Sequence, residues 1–247
     1  MTLETNVKNH SSMANGHLFL AIGILFGLTI LGYLLANAAI DYKQLDRSIT
    51  VKGLSEREYP ANIVIWPIGF MTTANTLEDL YGSVDKNTIK IKRFLIEKGV
   101  TEKEISFSSP TINDRLVQQY GQSNKPTFRY SASQTVTVYS HNVMKVRAIM
   151  NQLSELGKKG IIFTGNNYRT KVDYLFTQLN EIKPDMIEEA TRKAREVADK
   201  FASDSNSTLG KIKRASQGQF SIRNRDQSSP HIKKIRVVST VQYYLSD

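Results

Sequence analysis

Cysteine is absent from the 247-residue chain, and with it go disulfides, thiolate metal sites and cysteine nucleophiles. Histidine is scarce. Of the four, His10 and His17 precede a long apolar run, while His141 and His231 lie in polar, turn-like surroundings without a partner at metal-ligand spacing. A His-x-x-x-His or Glu-adjacent zinc pattern is missing. So are a Gly-x-Ser-x-Gly elbow, a Ser-x-x-Lys with its supporting motifs, a P-loop and a Gly-rich dinucleotide turn. The acidic pairs Glu78-Asp79 and Glu188-Glu189 fall on helix faces expected to be exposed, where charge is the default. Together these absences set aside ordinary hydrolase, kinase and dehydrogenase chemistry. The expectation is a chain that is not an enzyme and carries no cofactor.

Charge is missing from one stretch altogether. From Leu18 to Ile40 there are 23 residues without a charge, and about 20 residues at 1.5 Å each cross a hydrocarbon core of about 30 Å. Residues 18–40 therefore read as a membrane segment, preceded by a tail of residues 1–17. Cleavage after Ala38 is the competing reading, because Ala36-Asn37-Ala38 has the small-x-small pattern of a signal peptide. The apolar run exceeds the 7–15 residues that such signals use, and its leader holds only Lys8 as a fixed positive charge, which favours a retained anchor. Gly23 and Gly27 form a G-x-x-x-G pair, with Gly32 and Ala36 spaced likewise, through which two anchors could pack closely. Lys43, Arg47 and Lys52 follow the segment, so the positive-inside rule leans towards a cytoplasmic body.

The formal charge is +10. Residues 1–40 hold one Lys and one Glu (Lys8, Glu4), so the whole excess belongs to the body. Such basicity suits anionic lipid surfaces, acidic envelope polymers or nucleic acid.

In the body, Ile49–Glu56 alternates as a half-buried strand does, and Ile63–Trp66 with Ile68 and Phe70 makes a second strand after a turn at Pro60 and Asn62. Leu77, Leu80, Val84, Ile91 and Leu95 give a helix that stops at Gly99. Ile105–Ile112 and Tyr130–Tyr139 read as a hairpin around the polar stretch Gln118–Pro126. Val143 to Leu156 is a second helix, and Ile161–Leu179 is strand with a kink at Gly165-Asn166-Asn167. A third helix begins near Pro184, with Ile187, Ala190, Ala194, Val197 and Phe201 on one face. Its other face is laced by Glu188–Arg192, Glu189–Lys193 and Arg192–Glu196 at four-residue spacing. Strands Ile212–Ile222 and Ile235–Leu245 close the chain around the loop Arg223–Pro230. The sum is an α+β fold in ββαββαβ(α)ββ order, with an antiparallel sheet and three main helices. No linker divides it, so residues 47–246 read as one domain.

Basic residues concentrate towards the end: Lys211, Lys213 and Arg214; Arg223 and Arg225; Lys233, Lys234 and Arg236. If the last two strands form a hairpin, these become one patch beside Phe220, Tyr243 and Tyr244, a candidate surface for an anionic ligand. Nucleic acid would need phosphate contacts plus stacking and a cytoplasmic body, and is disfavoured. Lys90, Lys92 and Arg93 make a lesser cluster on the first helix. A solvated basic surface without a dedicated ligand fits the same residues.

The opening Ile49-Thr50-Val51-x-Gly53, the Pro60-Ala61 turn, the Ala-rich helix from Ala190 to Ala202 leading into Leu209-Gly210-Lys211-Ile212, and the closing strand Val237–Tyr244 resemble the SIMPL-domain family over residues 47–246. One departure follows Pro60-Ala61, where many relatives carry an acidic residue and this chain has Asn62. The resemblance implies a single-pass inner-membrane protein with its body in the periplasm, overriding the weak charge lean. It also implies homo-oligomers and an association with envelope or oxidative stress tolerance. It implies no chemistry.

Overall fold

The computed structural model describes residues 10–45, 47–117, 127–165 and 171–246; the side chains of 10–18 and 41–45 are outside that description. The expected polar loop Gln118–Pro126, the kink residues Asn166 and Asn167, and the first nine residues of the tail lie outside the described residues.

The apolar run is the middle of one helix, α1 (His10–Leu45), which begins within the stretch expected as tail. Next come strands β1 (Ser48–Pro60) and β2 (Ile63–Ala74), then α2 (Leu77–Glu97). Thr76 starts α2 because its Oγ1 accepts a hydrogen bond from the Asp79 amide, 3.2 Å away, satisfying an otherwise unpaired N–H. Gly99 ends it at φ +87°, a conformation that costs glycine least.

The expected strand Ile105–Ile112 divides into β3 (Ile105–Phe107) and β4 (Thr111–Asp114), both antiparallel to β5 (Tyr130–Ser140), so the hairpin forms with an interruption at Ser108–Pro110. The second expected helix likewise divides, into α3 (Val143–Met150) and α4 (Ser154–Lys158), at a turn over 151–153. Short strands β6 (Ile162–Phe163) and β7 (Asp173–Leu175) follow, then α5 (Leu179–Asp204), β8 (Thr208–Gln217), β9 (Ser221–Asn224) and β10 (Ile232–Ser246).

Two sheets result: one ordered β1-β10-β8 with β9 also on β10, the other β3-β5-β2-β6 with β4 on β5 and β7 on β2. Every pairing whose register is described is antiparallel. The turn after Pro60 thus moves the chain from one sheet to the other. Asn62 holds it there with both ends of its amide: Nδ2 donates to Thr177 Oγ1 at 2.8 Å and Oδ1 accepts from the Thr177 N–H at 2.9 Å.

The described residues form an α+β body of two compact units, each discontinuous in sequence: residues 1–54, 189–218 and 238–247, and residues 55–188 and 219–237. In the second unit β2 and β5 carry Val64, Trp66, Ile68, Phe70, Val136 and Val138 into one core with Leu80, Val84, Ile91, Phe94 and Leu95 of α2. Each such side chain, once buried, contributes about 1.5–3 kcal/mol.

The core of the first unit is small: Val51, Ala194, Ala198, Val241 and Tyr243. Here α5 lies so close that a Cβ built on Gly53 would stand 1.8 Å from the Ala190 carbonyl oxygen. Ala190, Ala194, Ala198 and Ala202, one per turn, are all buried, and they form the packing face. Val197 and Phe201, expected on that face, are instead 39% and 54% exposed; the close approach selects methyl groups over larger side chains.

Candidate interaction surface

Strand alternation sends Val51 and Gly53 of β1 towards α5, and therefore Thr50, Lys52 and Leu54 to the opposite face. On β10 the same argument puts Val241 and Tyr243 on the helix side and Thr240, Gln242 and Tyr244 on the other. No helix of the first unit covers that second face among the described residues. Strand β8 extends it: Arg214 lies opposite Gln242 and Ser216 opposite Thr240. Two register shifts, between Gln242 and Tyr243 and between Tyr243 and Leu245, bend this pairing. Lys213 rests over the Tyr244 ring, with Nζ 5.3 Å from its centroid. As the last strand in its order, β8 has one neighbour among the described strands and is exposed along most of its length.

The other cations of the expected patch stand in the second unit. Lys233 pairs with Asn224, Lys234 with Arg223 and Arg236 with Ser221, so it is β9, not β8, that flanks them. The expected strand Ile212–Ile222 breaks at Gly218, whose amide donates to the Val238 carbonyl at 2.8 Å. The eight basic residues are therefore distributed as Lys211, Lys213 and Arg214 in the first unit and Arg223, Arg225, Lys233, Lys234 and Arg236 in the second.

Partners differ within the second group. Lys234 Nζ is 2.7 Å from Glu56, and Arg225 is 3.6 Å from Glu58 and 2.8 Å from Asp226. Arg223 and Arg236 have no ion pair among the described residues. Lys233 is buried, donates to Asn224 Oδ1, and has its pKa lowered, first by burial, against the opposing pull of Asp173. Alternation puts Glu56 and Glu58 on one face of β1, but only the neighbouring elements make them counter-charges.

The three expected aromatic neighbours also separate. Tyr243 is buried on the helix side and cannot stack with a ligand, Phe220 is half-buried, and Tyr244 is 38% exposed. His231 packs edge-on against Tyr174, ring centroids 6.1 Å apart. Its Nδ1 is buried without a partner among the described residues. Burial, followed by Arg147 and Arg225, pushes its pKa below the usual value.

Lys92 of the lesser basic cluster pairs with Glu102, whereas Lys90 and Arg93 line a cleft of about 430 Å³ with Phe94, Glu97 and Lys159. Among the described residues no group of three or more His, Asp or Glu side chains is placed to hold a metal. On α1, residues Phe19–Ile40 are long and apolar enough to span a membrane and are not buried in the protein. Gly23 and Gly27 meet nothing within 4 Å, so that face of the helix is open.

These elements define a mixed sheet-and-helix domain behind an N-terminal apolar helix. Residues 49–243 match the family model described as SIMPL, protein of unknown function (DUF541), and the chain belongs to that family. A comparison with curated proteins returns no match.

Proposed function

We propose that the chain is a membrane-anchored, non-enzymatic SIMPL protein that works by assembling with copies of itself, its body on the periplasmic side of an inner membrane. The observation that carries this reading is the pairing of an uncovered 22-residue apolar helix with a family domain whose outer strand β8 keeps an exposed edge. An unpaired strand edge is a ready template for another chain, and an anchor raises local concentration by confining copies to one membrane. The open Gly23–Gly27 face of α1 would add a close-packed contact between anchors. A role in envelope or oxidative stress tolerance belongs to this proposal as its physiological setting.

The test is the native mass of the full-length chain in mild detergent, beside that of residues 41–247 in buffer. One large, discrete mass for both is expected; monomers in both would sink the reading.

A second reading is favoured by one observation: in the second unit, Arg223 and Arg236 carry no ion pair among the described residues. The chain would then be an anchored binding module for an anionic envelope component. Reversing Arg223 and Arg236 should abolish that binding and leave the native mass unchanged, whereas Lys234 is already paired with Glu56. Lys233 is the wrong residue to reverse, because it is buried.

A further inference from the structure

The two residues after α1 lead into a fixed point. The Arg47 carbonyl accepts from the Leu245 amide at 2.9 Å, and its guanidinium donates to Ser207 Oγ at 3.4 Å. Beside it, Thr208 at the start of β8 donates to the Ser246 carbonyl at the end of β10, 3.1 Å away. This end of the first unit is therefore tied to Arg47, and Arg47 to the membrane helix.

Chain length limits how far that end can be from the bilayer. The apolar span stops at Ile40 and α1 at Leu45; five helical residues rise about 7.5 Å, and the step from Leu45 to Arg47 adds at most about 7 Å. The headgroup layer itself occupies about 5–7 Å on each side of the hydrocarbon. Arg47 thus lies at or just above the headgroups.

The side chains left uncovered at this end suit that position. Phe201, one turn before the end of α5, is 54% exposed, and Val197 on the preceding turn is 39% exposed. Lys200, next to Phe201 in sequence, is exposed, as is Lys211, three residues into β8 from Thr208, with Asp204 as the acidic group of the last turn. An aromatic ring and an aliphatic neighbour flanked by lysines are the groups that settle at a membrane–water interface.

We propose that this end of the first unit rests on the headgroup layer of the bilayer that α1 crosses, with Phe201 as its apolar contact and Lys200 and Lys211 facing lipid phosphates. The inference rests on the retained anchor proposed above. It assigns the surface to a phospholipid bilayer and not to a second protein.

Because the chain has no cysteine, Phe201→Cys introduces a single thiol for an environment-sensitive fluorophore. Gln217→Cys, nine residues from Thr208 at the other end of β8, marks a point about 30 Å away along the strand. Each full-length variant is placed in nanodiscs of phosphatidylethanolamine and phosphatidylglycerol carrying a headgroup spin label. The label at position 201 is expected to be blue-shifted and quenched several-fold more than that at 217. Equal quenching at both positions in an embedded chain would overturn the docking and leave the anchor standing. A purified chain whose mass lacks residues 1–38 would remove the anchor, and this proposal with it.

Discussion

The two units bury their interiors by opposite means. In the second, volume does the work: Phe70, Leu80, Ile91, Phe94 and Leu95 are each buried and interlock between β2, β5 and α2. In the first, proximity does it, since a side chain is missing at Gly53 and one methyl per turn of α5 lets helix backbone press against strand backbone. The first arrangement gains many dispersion contacts between atoms of backbone and methyl groups, while the second draws on apolar area. A core of the second kind is sensitive to removal of atoms, and one of the first kind to their addition.

That contrast can be broken by substitution. Phe94→Ala should have the largest effect, about 3–5 kcal/mol, because it empties a site that neighbours cannot refill; a denaturation midpoint in mild detergent reads it. Gly53→Ala adds a single methyl, and in most settings would be harmless. Here it should cost about 1–3 kcal/mol, because the atoms in the way are backbone of α5 and cannot swing aside. Equal tolerance of an added methyl at Gly53 and at an exposed position would show that α5 is not held against β1 as described.

The smallest effect sharpens the contrast through pH. His231 belongs to the second unit, and its surroundings, burial first, lower its pKa below the ordinary value of 6.5. As pH falls through about 6.5, the unfolded chain takes up the proton before the folded one does, so stability present above that pH is lost on acidification. His231→Gln should flatten the slope of stability below pH 6.5, measured as denaturation midpoint against pH. An unchanged slope would mean that the half-buried ring does not report on folding.

Much of this architecture was legible in the sequence, and the parts that were not share a cause. Alternation in β1, β2 and β10 and the 3.6-residue period of α2 mark which side chains turn inward, so those elements and their buried faces could be read directly. Periodicity does not say which strand lies beside which. Hence β8 and β9 read as one strand, and eight basic residues read as one patch, although Gly218 interrupts the pairing and the register assigns them to different neighbours. The face of α5 was misread for a different reason: apolar bulk at Val197 and Phe201 outweighs alanine on any hydrophobicity scale, and only the absence of a side chain at Gly53, a partner over 130 residues away, tips the choice. For the candidate surface, the cations could be found by type, while the burial of Lys233 depends on strand parity and the counter-charges on β1.

Strand β10 also governs when the fold can be completed. It lies between β1 and β8, and the hydrogen bond from Gln242 to Ser48 joins residues 194 positions apart. A contact of that span forms late, because the chain between must first be closed into a loop. Until then β1, the strand next to α1, stands without the neighbour that shields it. The time between synthesis of β1 and arrival of β10 is therefore the interval in which an escort protein, or a second copy of the chain, could claim that edge.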